Sequence, residues 1–79
     1  MFSNIRNYLN NKDYNINITN NLLYINNYEK INTINDRFIS ISFLEFNLLV
    51  EGVNISINKL LDTEVLFNGQ ITKVTFEYK

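Results

Sequence analysis

Eight carboxylates, several Ser and Thr hydroxyls, seven Lys or Arg and five tyrosines are the groups with which this chain could do chemistry, because it contains neither histidine nor cysteine. Catalysis near neutral pH relies on groups that titrate or attack there. Without histidine the commonest general base and metal ligand is missing. Without cysteine there is no thiolate nucleophile, no thiolate metal site and no disulfide to reinforce a small core. Asp62 and Glu64 are the closest carboxylate pair, two residues apart beside an apolar-alternating run. Calcium needs about six to eight oxygens, so the pair reads as a solvated turn. Gly52 and Gly69 each stand alone, which rules out a glycine-rich phosphate cradle. Tyr24 and Tyr28, with Phe38, could form an aromatic face, and Lys30 with Arg37 could flank it. Stacking platforms for single-stranded nucleic acid sit in basic grooves, and two cations make a meagre one. Tyr24, Tyr28, Lys30 and Arg37 are therefore the candidate interaction surface. No residue is assigned to catalysis, to a cofactor or to a metal.

The elements that must carry these residues read as short strands. Phe2, Ile5, Tyr8 and Leu9 have helical spacing over residues 1–10, which predicts a short helical or frayed arm. From Tyr14 the period becomes two: Tyr14, Ile16 and Ile18 share one face, and Asn15, Asn17 and Thr19 the other. Asn20-Asn21 supplies a turn, since asparagine tolerates the left-handed conformation best among non-glycine residues. Residues 22–25 form a second strand and Asn26-Asn27 another turn. Residues 31–34 do not alternate, which predicts an irregular crossing that still sends Ile31 and Ile34 to the core. After a turn at Asn35-Asp36, Ile39, Ile41 and Phe43 face one side while Ser40 and Ser42 face the other. Residues 44–47 must turn without glycine. Gly52 breaks the phase between Leu48 and Val50 before it and Val53, Ile55 and Ile57 after it, as a hairpin or a bulge would. Leu60 and Leu61 are expected to plug the core from a connection. Asn68-Gly69 between apolar runs is a strong hairpin signal, and a phase slip at Thr72-Lys73 predicts a bulge. The apolar-x-apolar-x-Gly skeleton ending at Gly69 also ends at Gly52, seventeen residues earlier.

A chain of 79 residues has room for one domain, and at this size only about 60% of the unfolded surface becomes buried. The net charge of −1 argues against a dedicated nucleic-acid binder. No apolar run nears the ~18 residues of a membrane helix, and no basic-then-apolar leader opens the chain. A soluble, cytoplasmic protein is the expectation. The excess of asparagine and isoleucine is compositional, as AT-rich coding produces, and asparagines alternating with β-branched residues do not form prion-like tracts.

The run Asn21-Leu22-Leu23-Tyr24-Ile25-Asn26-Asn27-Tyr28-Glu29-Lys30-Ile31 resembles the opening of the YabP/YqfC family of sporulation proteins. The likeness continues through Leu48-x-Val50-Glu51-Gly52-x-x-Ile55-x-Ile57 and Val65-x-Phe67-x-Gly69-x-Ile71-x-x-Val74-x-Phe76, covering about residues 14–78 with matching spacing and favouring the YqfC branch. Asn20 stands where the family usually has glycine, and Asn26 where it favours an acidic residue. The resemblance implies a non-enzymatic protein of the mother cell, acting in spore envelope or cortex formation through protein interaction. It also implies a membrane-associated sporulation partner encoded nearby (YqfD-like), and a cytoplasmic site that can be peripheral at the membrane around the forespore.

The expectation is thus an all-β fold, a small antiparallel β-sandwich, either immunoglobulin-like or a rolled sheet, with a short N-terminal helical segment. Residues 1–13 form the arm and residues 14–79 the β domain. The alternative function is a ligand-binding module for carbohydrate or single-stranded nucleic acid. Unpaired edges in so small a domain favour a homo-oligomer. Interaction requires an exposed apolar patch or sheet edge, whereas ligand binding requires a concave pocket with convergent polar groups.

Overall fold

The computed structural model describes residues 14–79; the helical arm expected over residues 1–13 lies outside them. Six strands follow one another: β1 (Asn15–Ile18), β2 (Leu22–Asn26), β3 (Lys30–Ile34), β4 (Phe38–Ser42), β5 (Phe46–Leu60) and β6 (Glu64–Tyr78). All pairings are antiparallel, within one sheet of order β1-β2-β6-β5-β4-β3. The all-β, antiparallel expectation is met, with all six strands in one sheet.

β5 and β6 are each 15 residues long and organise the rest. The first half of β5 pairs with β4 and the first half of β6 with β2, while β5 and β6 pair with each other from end to end. The seventeen-residue repeat is therefore structural. Val50 faces Ile39 as Phe67 faces Leu23, and Leu48 faces Ile41 as Val65 faces Ile25. Exchanging β1-β2-β6 with β3-β4-β5 leaves the strand order unchanged. One layer would leave its apolar face in water, yet residues of both halves join a single core of Leu23, Ile25, Ile39, Ile41, Phe43, Phe46, Leu48, Val50, Ile55, Val65 and Phe67. Strand alternation delivers these side chains to one face, and burying each stabilises the fold by about 1.5–3 kcal/mol before entropy is counted.

The repeat extends to the turns. Thr19 Oγ1 accepts hydrogen bonds from the amides of Asn21 and Leu22, and Asn35 Oδ1 from those of Arg37 and Phe38. These are side-chain turns that satisfy amides a two-residue connection leaves over. Each turn then docks on a long strand. The carbonyls of Asn20 and Asn21 accept from Ile71 and Gly69, and those of Asp36 and Arg37 from Ile55 and Gly52.

Three expectations fail. Residues 31–34 belong to β3, and their broken alternation is a register shift between Ile31 and Thr33, not an irregular crossing; Ile31 and Ile34 do pack on the core. The Asn68-Gly69 hairpin is absent because β6 runs straight through both residues. The chain reverses instead at Asp62-Thr63, where the Leu61 amide donates to the Glu64 carbonyl at 2.9 Å. Leu60 and Leu61 do not plug the core; they flank that turn, about half exposed, because Val65 and Phe67 already fill the inner face there. The slip near Thr72 is a bulge, since Glu51 pairs with Lys73 and Gly52 with Ile71, leaving Thr72 over. Thr72 Oγ1 donates to the Glu51 carbonyl at 3.1 Å.

Candidate functional site

The glycine-free connection at residues 44–47 closes as a tight turn in which the Phe43 amide donates to the Phe46 carbonyl at 2.8 Å. Its flanking rings stack, with centroids 4.8 Å apart and planes 12° from parallel. Tyr14 meets both edge-on, at 5.3 Å from Phe43 and 5.5 Å from Phe46. From β6, Phe76 and Tyr78 approach Phe46 at 5.2 and 5.6 Å. Strand alternation places Phe76 opposite Leu48 and Tyr78 opposite Phe46, on the core-facing side. Offset and edge-to-face pairs of this kind contribute about 0.5–1.5 kcal/mol each beyond burial.

This cluster is buried at its centre and open at its rim. Phe43 and Phe46 are buried, whereas Tyr14 and Phe76 are each 45% exposed, Leu44 57% and Tyr78 73%. Lys79 ties the rim down, its Nζ donating to the Phe43 carbonyl and its amide to the Glu45 carbonyl. Chemically this end of the sheet offers aromatic rings, with the hydroxyls of Tyr14 and Tyr78 at its exposed rim. Among the described residues no three His, Cys, Asp or Glu groups gather as metal ligands, and Asp62 lies in an exposed turn.

The four residues singled out from the sequence are not brought together. Tyr24 lies on β2, on the face opposite Leu23 and Ile25. Tyr28 sits between β2 and β3, packed against the core. Lys30 opens β3 opposite Ser42, while Arg37 is in the β3–β4 turn at the other end of that hairpin. Phe38 belongs to β4, which β6 and β5 separate from β2. Tyr24 has other company. It stands opposite Leu66 and diagonal to Glu64, across from Lys59 on β5. Tyr24, Lys59, Glu64, Val65 and Leu66 line a groove of about 100 Å³. Partial burial, then the Glu64 charge and its hydrogen bond, raise the Tyr24 pKa above its ordinary value of 10.0. Ligand pockets usually measure about 300–1,000 Å³, so this groove is too small for a sugar or a base. A broader depression lies at residues 60–64, walled by that single turn and with no opposing element.

Sequence reading missed the aromatic end because its members lie far apart in the chain, at positions 14, 43, 46, 76 and 78. The signal was the pair Phe43 and Phe46 around a turn that lacks glycine. It also missed a polar ladder on the outer face. Asn32 Nδ2 donates to Ser40 Oγ and Ser42 Oγ, Ser42 Oγ to Asn47 Oδ1, and Asn47 Nδ2 to Glu77 Oε1 at 3.5 Å, which spans β3 to β6. Among the described residues no helix is long and apolar enough to cross a membrane. In comparisons with known proteins, the chain matches no family model, no curated relative and no solved structure.

Proposed function

We propose that this chain is a non-enzymatic interaction module of the mother cell, acting in spore envelope or cortex formation by docking on a membrane-associated sporulation partner (YqfD-like). The observation that carries the interaction reading is the half-open aromatic cluster of Tyr14, Phe43, Phe46, Phe76 and Tyr78. Large aromatic side chains at a desolvated centre with a polar rim are the usual anchors of protein interfaces. The sporulation setting rests on the resemblance of residues 14–78 to the YabP/YqfC blocks. The curled single sheet is read as the rolled-sheet form of the expected sandwich, with its halves packed face to face. The compartment that follows is the mother-cell cytoplasm, peripheral at the membrane around the forespore.

Carbohydrate or single-stranded nucleic-acid binding is the second reading; Tyr24 offers it a partly exposed ring, beside a groove too small to enclose a sugar or a base. The test is capture of tagged chain from cells forming endospores, with wild type beside Leu44→Glu, which places a charge on the exposed tip of the aromatic end. Recovery of a membrane-associated protein by wild type, reduced at least tenfold by Leu44→Glu, is the expected result. Retention of no membrane protein, together with binding to glycan or oligonucleotide in vitro, would favour the second reading.

A further inference from the structure

We propose that two copies of this chain pair antiparallel along the free edge of β6, residues 72–78, centred on Thr75. Among the described residues no strand pairs with this edge, because β2 covers only the first half of β6 and β5 lies on the other side. Unpaired edges are templates for another strand. The inference concerns self-association and does not depend on the sporulation reading.

Backbone geometry limits which residues can bond outward. The Lys79 amide donates to the Glu45 carbonyl, and the register continues from Phe46 opposite Tyr78 to Glu51 opposite Lys73. Antiparallel pairs alternate between bonded and non-bonded. Lys73, Thr75 and Glu77 therefore turn their backbone groups toward β5, and Val74, Phe76 and Tyr78 turn theirs to the open side. A second copy centred on Thr75 bonds Val74 to its partner's Phe76 and Phe76 to its partner's Val74. The pairs between them are non-bonded, where side chains stand closest.

Charge selects this register among the alternatives. Centring on Thr75 sets Lys73 of each copy opposite Glu77 of the other, twice by symmetry. Centring on Lys73 or on Glu77 sets like charges directly opposite, and centring on Phe76 sets Lys73 against Lys79. Opposite charges across strands stabilise and like charges destabilise. On the inner face Val74 meets Phe76, which is 45% exposed in the single chain. The other free edges lack this self-complementarity. The open part of β5 has Lys59 as its one charge, β3 has Lys30, and β1 has none. The pairing is isologous and joins two four-strand half-sheets, β3-β4-β5-β6, into one of eight strands. Leu44 and Tyr14 lie on other segments and remain open to a third protein.

The test is charge reversal read by sedimentation equilibrium. Wild type should dimerise, with affinity falling as salt rises. Lys73→Glu and Glu77→Lys should each weaken the dimer about tenfold or more, since each turns two attractive cross-strand pairs repulsive. The double variant Lys73→Glu/Glu77→Lys should recover wild-type affinity, and an equimolar mixture of the two single variants should form a heterodimer. Lys73 also faces Glu51 within its own chain, so thermal melts accompany each variant, and Glu77→Lys gives an arm free of that neighbour. A monomeric wild type, single reversals without effect, or a double variant as weak as the singles would overturn the proposal.

Discussion

At the scale of the residue, Tyr24 has a titration displaced upward, and its neighbours explain the direction. Its ring lies on the outer face, where Leu66 and Lys59 take part of its hydration and Glu64 sits diagonally across β6. Both effects oppose a phenolate, the loss of hydration more than the carboxylate charge. The sign of the linkage follows. The unfolded chain, with the lower pKa, releases the proton first as pH rises, so this contribution to stability is whole below pH 10.0 and is lost as pH climbs through the folded value. Glu64→Gln removes the charge and leaves the partial burial. The Tyr24 pKa should therefore move down only part of the way toward its ordinary value, measured by NMR titration of the Tyr24 ring. An unchanged titration would show that the carboxylate does not reach the phenol. Gln at this position keeps the side-chain length, so no packing change is expected.

At the scale of the element, the central question is how β5 and β6 cross. Gly69 has φ +145, and a Cβ there would stand 2.8 Å from Ile55 Cα and 3.0 Å from the Asn54 carbonyl oxygen. On the other strand Asn54 takes φ 55, so two residues of β5 bulge against the single Gly69 of β6 between the pairs Val53–Gln70 and Ser56–Asn68. Gly69→Ala meets both the steric contact and the backbone strain, and should lower unfolding free energy by about 2–3 kcal/mol, read from urea titration. A loss below about 0.5 kcal/mol would mean the crossing relaxes freely. The same glycine shows what was legible in the sequence. The alternation of residues 14–18 and 38–43 and the apolar run at 22–25 place three strands and five of the eleven core side chains correctly, because period two reports which face is dry. Asn68-Gly69 misleads because glycine marks any site where a Cβ does not fit, and close approach of two strands uses it as readily as a turn does. The seventeen-residue spacing was visible, but its meaning required the pairing partners. The aromatic end was hidden for the same reason, since contacts between positions 14, 43 and 76 leave no local period.

At the scale of the whole molecule, the two related halves pose a problem of cooperativity. Each half holds a hairpin and half of each long strand, and two weakly joined halves would be expected to open separately. Two features oppose this. β5 and β6 run through both halves without a break in the chain, and the buried side chains of both belong to one cluster, with Tyr14 at the start of β1 touching Phe43 and Phe46 at the far hairpin. A cavity in either half should therefore weaken the entire domain. Leu23→Ala, in β2 and fully buried, should cost about 2–4 kcal/mol. Hydrogen exchange should then accelerate at buried amides of β4 as much as at those of β2, because both open through the same global event. Ile39→Ala, at the matching position of the other half, should give the same pattern. If exchange instead quickened only within the half carrying the cavity, the long strands would be acting as a hinge between two folding units. A domain of this size has little stability to divide, since small domains bury the smallest fraction of their surface. Neither half alone, with its hairpin, half of each long strand and about half of the eleven core side chains, holds enough apolar surface to stay folded while the other opens.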